Sequence, residues 1–140
     1  MDKYNTEGYK DLTAYEALRN IEKEEENFNR LKLIYVCSPF AGDVEYNISR
    51  ARGYSRYVMS KGFIPLAPHL LFPQFLDDED KEEREIGITY GLYLLKKCNA
   101  IWVFGGKLSE GMLREIKWAK RYGIPLRYFN DRCEEVFIGG

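Results

Sequence analysis

A glutamate on the apolar side of a predicted helix is the residue best placed to do chemistry. Met112, Glu115, Ile116 and Ala119 recur at i, i+3, i+4 and i+7 and therefore share one helical face. Ser109 is the expected N-cap, which puts Glu115 about one and a half turns inside the helix. A carboxylate among apolar side chains costs free energy unless it is paired or functional. Near a ligand pocket, Glu115 would act as a nucleophile or as a ligand acceptor.

A short loop earlier in the chain is a candidate for holding a sugar or a phosphate. Residues 38–43 include small residues, so backbone N–H groups can approach an anion at the start of the next helix. The loop matches neither the P-loop nor the GxGxxG pattern, and an ordinary tight turn is the alternative interpretation. The predicted ligand contacts from this loop and the following helix are Ser38, Pro39, Phe40, Asp43, Asn47 and Arg50.

Two further loops complete the predicted site. Residues 68–78 form a long, apolar connection, which is typical of a lid or a binding loop. Within it, Phe72 could stack on a base, and His69 directly follows a strand, where it could bond a base edge. The alternative is that these aromatic rings only cover the sheet edge. The third loop leads into the Glu115 helix and adds Ser109, Gly111 and Met112 as ligand contacts.

The elements that must position these residues alternate along the chain. Apolar runs predict strands at 33–37, 63–67, 100–104 and 124–129, with a short fifth strand within 134–138. Periodicity and end signals predict helices over about 45–61, 81–97 and 109–123. This order predicts an α/β fold: a small Rossmann-like, flavodoxin-like three-layer sandwich with four to five mainly parallel strands. Ligands bind such sheets where strands end and helices begin.

The N-terminal part differs in composition from the rest. Residues 1–31 are interpreted as a helical extension, and residues 32–140 as the α/β domain. An amphipathic helix is predicted from Asp11 to Leu31, because apolar residues recur there at helical spacing. This extra helix either packs on the domain or contacts another subunit.

Composition and charge argue against several functions. The net charge is −1 and no basic tail is present, so no nucleic-acid partner is expected. One histidine and three widely spaced cysteines form no metal-binding or disulfide pattern, and no cofactor is predicted. The sequence lacks a signal-peptide pattern and a long apolar run. A cytoplasmic location without membrane contact is therefore the expectation.

Residues 34–40, 102–105 and 109–119 resemble the nucleoside 2-deoxyribosyltransferase-like superfamily. More closely, residues 32–129 resemble an uncharacterised bacterial and phage branch with an SxGMxxEIxxA-type motif. The resemblance implies that Glu115 is the nucleophile on the sugar anomeric carbon and that Tyr35 supports it. It further implies a nucleoside- or nucleotide-like ligand whose N-glycosidic bond is cleaved or transferred.

The chain departs from the transferases at positions that matter for catalysis. Gly91 stands where they carry an aspartate that assists the departing base, and Asn99 replaces a second aspartate. Gly111 lies four residues before Glu115, a longer spacing than theirs. Another acid would be needed, for which the candidates are His69, Asp77 and Glu85. The alternative function is a non-catalytic protein that binds a nucleotide signal as a sensor or by sequestration.

We expect a homo-oligomer, most simply a dimer. Aromatic residues make up 15% of the sequence and the predicted helix over 11–31 has an apolar stripe, both of which suit a subunit interface. Two-fold dimers are the commonest symmetric assembly. Sedimentation at micromolar concentration should give twice the chain mass of 16.5 kDa, and a species of 16.5 kDa would contradict the prediction.

Overall fold

The computed structural model describes residues 13–137, and the chain divides into two compact units between Leu31 and Lys32. In the first unit, helix α1 (Ala14–Asn29) begins after Thr13, whose hydroxyl accepts a hydrogen bond from the Glu16 amide. The extra N-terminal helix is therefore present, while its predicted start at Asp11 lies outside the described residues. No residue of α1 is buried.

The second unit alternates strands and helices as predicted. Its elements are β1 (Leu33–Cys37), α2 (Val44–Ser60), β2 (Ile64–Leu66), α3 (Lys81–Lys96), β3 (Ala100–Phe104), α4 (Glu110–Arg121), β4 (Leu126–Phe129) and β5 (Glu135–Val136). The long connection after β2 contains two single-turn 3₁₀ helices, Pro68–Leu70 and Phe72–Gln74. Among residues 13–137, no helix has the length and apolarity needed to cross a bilayer.

The five strands form one sheet in the order β2-β1-β3-β4-β5. The first four strands are parallel, and β5 pairs antiparallel with β4. This is the flavodoxin-like order, so the predicted α/β fold with four to five mainly parallel strands is confirmed. Pro65 lies in the edge strand β2, where a residue without an N–H donor is tolerated.

The side chains of β1 alternate between two hydrophobic cores. Ile34 and Val36 pack in the core on the α2 face, together with Tyr54 and Val58 of that helix. Tyr35 and Cys37 point to the opposite face, into the core that includes buried side chains of α3 and α4. A parallel strand covered on both faces is expected to be apolar throughout, as β1 is. The alternation sends Tyr35 to the side of the sheet that carries Glu115.

Helix α4 has a defined start and end, which fixes where its side chains fall. The Ser109 hydroxyl accepts a hydrogen bond from the Met112 amide at 3.2 Å, as predicted for an N-cap. After the helix, Gly123 takes a φ of 68°, a left-handed conformation that glycine adopts without strain. Met112, Ile116 and Ala119 are buried on the inner side of the helix, confirming the predicted apolar face.

Candidate active site

A cleft with a volume of about 140 Å³ lies on the α3–α4 side of the sheet. It is next to the point where the order of strands in the sheet changes direction, since β2 lies on one side of β1 and β3 lies on the other. Ligand crevices of doubly wound sheets form at this switch point. Most of the lining is apolar and comes from the connection after β2 and from α3; it includes Pro68, Phe72, Pro73, Leu76, Ile88 and Leu92.

Glu115 lines the cleft and is held by two side chains of β1. The Tyr35 hydroxyl donates a hydrogen bond to Oε2 of Glu115. The Cys37 thiol donates to Oε1, with 3.6 Å between sulfur and oxygen. Because Tyr35 and Cys37 are alternate residues of one strand, both face α4. The two donors fix the carboxylate from the strand side.

Burial dominates the protonation of this carboxylate. It raises the pKa of Glu115 to about 7, although the hydrogen bonds from Tyr35 and Cys37 and the charge of Arg114 act in the opposite direction. Burial and the neighbouring Glu115 together raise the pKa of Tyr35, so its hydroxyl remains a donor. Glu115 therefore keeps its proton to a higher pH than an ordinary glutamate does.

His69 has a defined tautomer. Its Nε2 lies 2.9 Å from the backbone carbonyl oxygen of Ser38, which can only accept, so Nε2 carries the proton. Burial lowers the pKa of His69, and the ring is therefore neutral at pH 7. It also stacks on Phe40, with ring centroids 4.8 Å apart. A neutral ring with Nε2–H presents Nδ1 as an acceptor, which weighs against His69 as the substitute acid.

The cleft gathers six of the predicted site residues: Tyr35, Phe40, His69, Phe72, Gly111 and Glu115. The others lie outside its lining, and the polar groups of several are engaged elsewhere. Asp43 caps α2 through the Tyr46 amide, and the Asn47 side chain donates to the carbonyl groups of Phe40 and Ala41. Not lining the cleft are Ser38, Pro39, Asp43, Asn47, Arg50, Ser109 and Met112.

Arg50 is held in a different environment from the one expected. Its guanidinium carbon lies 5.2 Å from the ring centroid of Tyr54, a residue of the core on the α2 face. The cleft is on the opposite face of the sheet, beside Tyr35. The structure therefore does not bring Arg50 to the ligand site that contains Glu115.

Charged residues that the sequence analysis missed also line the cleft: Asp78, Glu83, Arg84 and Arg114. Helical spacing could have found the two on α3, because residues 83, 84, 87, 88, 91 and 92 share one face. Neither arginine forms a salt bridge within residues 13–137. The proposed acids Asp77 and Glu85 are not in the lining. No three His, Cys, Asp or Glu side chains in the described part of the chain are grouped to hold a metal ion.

Asn99 has a structural role at the other end of the strands. Its side-chain oxygen accepts a hydrogen bond of 2.7 Å from the backbone amide of Leu33, and the backbone amide of Asn99 donates to the Leu33 carbonyl oxygen. Leu33 is the first residue of β1, whereas the cleft is beside Tyr35 and the loop after Cys37. Asn99 thus joins the turn before β3 to β1.

The raised pKa of Glu115 predicts a pH-dependent effect of Glu115→Gln. The folded chain holds this proton more tightly than the unfolded chain, so the contribution to stability is complete below about pH 4.5 and is lost as pH rises through about 7. The difference between the two pKa values, at about 1.36 kcal/mol per pH unit, corresponds to about 3 kcal/mol in the free energy of unfolding. Glutamine does not ionise. Relative to wild type, Glu115→Gln should therefore gain free energy of unfolding between pH 5 and pH 8.

Urea denaturation at both pH values measures this gain, and Glu110→Gln is the matched control. Glu110 lies in the exposed first turn of the same helix and outside the cleft, so its substitution controls for the loss of one carboxyl group from α4. A Glu115→Gln effect that is the same at both pH values would contradict the raised pKa.

Comparison with known proteins supports the fold and shows the family. Among solved structures, the 2-deoxyribosyltransferase of Bacillus psychrosaccharolyticus superposes with a TM-score of 0.60 at 16% sequence identity, covering 76% of this chain and 77% of that one. At this identity, the likeness establishes the fold. No curated protein matches the sequence. The family model for a domain of unknown function, DUF7768, matches residues 32–129. Since this match covers more than half of the chain, the protein belongs to the DUF7768 family.

Proposed function

We propose that the cleft binds a nucleoside or nucleotide and that Glu115 cleaves or transfers its N-glycosidic bond. The observation that carries the proposal is the partly buried Glu115 carboxylate, held by the Tyr35 hydroxyl beside a cleft at the switch point of the sheet. The likeness in fold to a 2-deoxyribosyltransferase supports the same reaction class. A carboxylate facing an anomeric carbon can trap an oxocarbenium-like centre, as retaining glycosidases do.

In the proposed reaction, the ionised carboxylate of Glu115 forms a bond to the anomeric carbon while the bond from that carbon to the base nitrogen breaks. The base leaves with the electron pair and takes a proton from solvent water. Water then attacks the anomeric carbon, releases the Glu115 carboxylate and returns a proton to the solvent; a second base that attacks instead loses its N–H proton to the solvent and forms a new nucleoside. Because the nucleophile must be ionised, the rate should rise with pH through the pKa of Glu115, which is about 7.

The walls of the cleft suit the parts of such a ligand. Phe40 and Phe72 offer aromatic surface for a base. The neutral His69 ring can accept a hydrogen bond at Nδ1 from an amino group on the base edge. Arg84 and Arg114 are the basic side chains of the cleft and would contact a phosphate if the substrate is a nucleotide.

Protonation of the departing base is the weak point of the proposed reaction. Position 91 is a glycine and offers no acid. Glu83 also lines the cleft, but it precedes Gly91 by eight residues on α3, which is about 12 Å along the helix axis. It cannot take the place of an acid at position 91. General acid catalysis typically contributes about 10²–10⁴-fold in rate, so slow turnover is expected.

The absence of a side chain at position 91 equally favours a second function. A protein that binds a nucleotide signal without cleaving it needs the cleft but no acid for the departing base. Glu115 would then accept a hydrogen bond from a sugar hydroxyl. Binding without base release would support this sensor or sequestration function over the enzyme.

Base release tests the enzymatic proposal. The protein is incubated with deoxynucleosides and their 5′-monophosphates, and free base is followed by chromatography. Glu115→Ala should abolish release because it removes the nucleophile, whereas Glu110→Ala on the same helix should retain it. Intact-protein mass spectrometry after acid quench should show a glycosyl adduct on wild type and none on Glu115→Ala. Release that persists in Glu115→Ala would contradict the role of Glu115.

Ligand binding in the cleft can be tested without turnover. A Cβ atom added to Gly111 would meet no atom within 4 Å, and the residue is exposed at the cleft, so the ring of Gly111→Trp should occupy the cleft without disturbing the core. Gly53→Trp is the matched control, because Gly53 is an exposed helical glycine with equally open surroundings on α2. Calorimetry with nucleosides and nucleotides should show binding that Gly111→Trp weakens at least tenfold and Gly53→Trp preserves. Equal affinity in the two variants would place the ligand elsewhere.

A further inference from the structure

Helix α3 passes close to the Tyr35–Glu115 pair at Gly91. A Cβ atom added to this glycine would lie 3.3 Å from the Tyr35 hydroxyl oxygen. Gly87, on the same face of α3, has its nearest such neighbour at 3.5 Å, an ordinary contact with Leu76. Glycine in a helix interior is less favourable than alanine, so a buried glycine at this position requires a reason.

Tyr35 has little freedom to move away from Gly91. Its side chain is 1% exposed, and its backbone is paired on both sides, with Leu66 of β2 and Ile101 of β3. The hydroxyl is in contact with the Glu115 carboxylate of α4 and close to the position that a Cβ atom of Gly91 would take on α3. A shift of the ring in a close-packed core would displace several neighbours at once.

We propose that Gly91 is a positioning residue for Glu115: its missing side chain leaves the space in which the Tyr35 hydroxyl reaches the Glu115 carboxylate. A Cβ atom at position 91 would instead crowd the Tyr35 hydroxyl oxygen, which would have to shift by a few tenths of an ångström relative to Glu115. The catalytic meaning of this inference rests on the proposed function, but the geometric dependence does not. The glycine therefore has an effect besides the absence of an acid, because it leaves room for the hydrogen bond between Tyr35 and Glu115.

A double-mutant comparison tests this dependence through Glu115 itself. The variants are Gly91→Ala, Tyr35→Phe, the combination of both, and Gly87→Ala as the matched control on the same helix face. The readout is the pKa of Glu115, measured from the pH dependence of its carboxyl carbon shift by NMR. The groups that act on this pKa are Tyr35 and Cys37 from β1 and Arg114 from α4. Helix α3 also brings the charged Glu83 and Arg84 to the same cleft, and neither is among the groups that shift this pKa.

Gly91→Ala should raise the pKa of Glu115 above that of wild type, because the Tyr35 hydrogen bond lowers this pKa and displacing the hydroxyl weakens the bond. Tyr35→Phe should raise it likewise, and adding Gly91→Ala to Tyr35→Phe should produce no further change, since the crowded oxygen is gone. Gly87→Ala should leave the pKa unchanged. An unchanged pKa in Gly91→Ala, or an equal rise with and without the Tyr35 hydroxyl, would overturn the proposal.

Two further outcomes are decisive. If Gly91→Ala alone does not fold, the combination with Tyr35→Phe should fold, and failure of both while Tyr35→Phe folds would overturn the proposal. If wild type releases base, the acid limb of its pH–rate profile should move to higher pH in Gly91→Ala. Absence of base release in wild type would count against the proposed function alone, because the NMR comparison does not depend on turnover.

Discussion

The site depends on one partly buried contact, the hydrogen bond from the Tyr35 hydroxyl to the Glu115 carboxylate. A carboxylate removed from water loses its hydration, and without a partner it would oppose folding. Tyr35 and Cys37 supply donors from the strand, and Glu115 remains protonated part of the time because burial outweighs them. The three residues come from the middle and end of a central strand and from the first turns of α4, both of which are fixed by the core. The orientation of Glu115 is therefore a property of the fold.

Much of this arrangement could be predicted because it depends on short-range periodicity. The spacing of Met112, Glu115, Ile116 and Ala119 is enough to place the glutamate on the inner face of a helix. The apolar run from Leu33 to Cys37 predicts a buried strand, and the alternating order predicts the parallel sheet. The family resemblance implied that Tyr35 is on the same face of the sheet as Glu115. The structure confirms each of these elements within one to two residues at most ends.

The remaining site residues depend on features that local patterns do not contain. Arg50 lies in the second turn of α2, close in sequence to the loop of residues 38–43, but α2 covers the face of the sheet opposite the cleft. Which face a helix covers is decided by the crossover connection and not by the spacing of residues within the helix. The connection after β2 folds into two 3₁₀ turns that bring Asp78 into the cleft and leave Asp77 out of its lining. Asp43, Asn47 and Ser109 looked like ligand contacts because polar side chains at helix starts serve both purposes. Here they satisfy backbone groups.

The Cys37 thiol that donates to Glu115 has a chemical consequence of its own. Reaction with oxidants and alkylating agents proceeds through the thiolate. Cys37 is fully buried, and burial together with the adjacent Glu115 raises the pKa of this thiol well above its ordinary value. The sulfur beside the carboxylate is thus kept in its unreactive form. The contact that orients Glu115 thus also suppresses the reactivity of the sulfur. The site is therefore insensitive to the redox state around the protein, although a cysteine lies within hydrogen-bonding distance of its carboxylate.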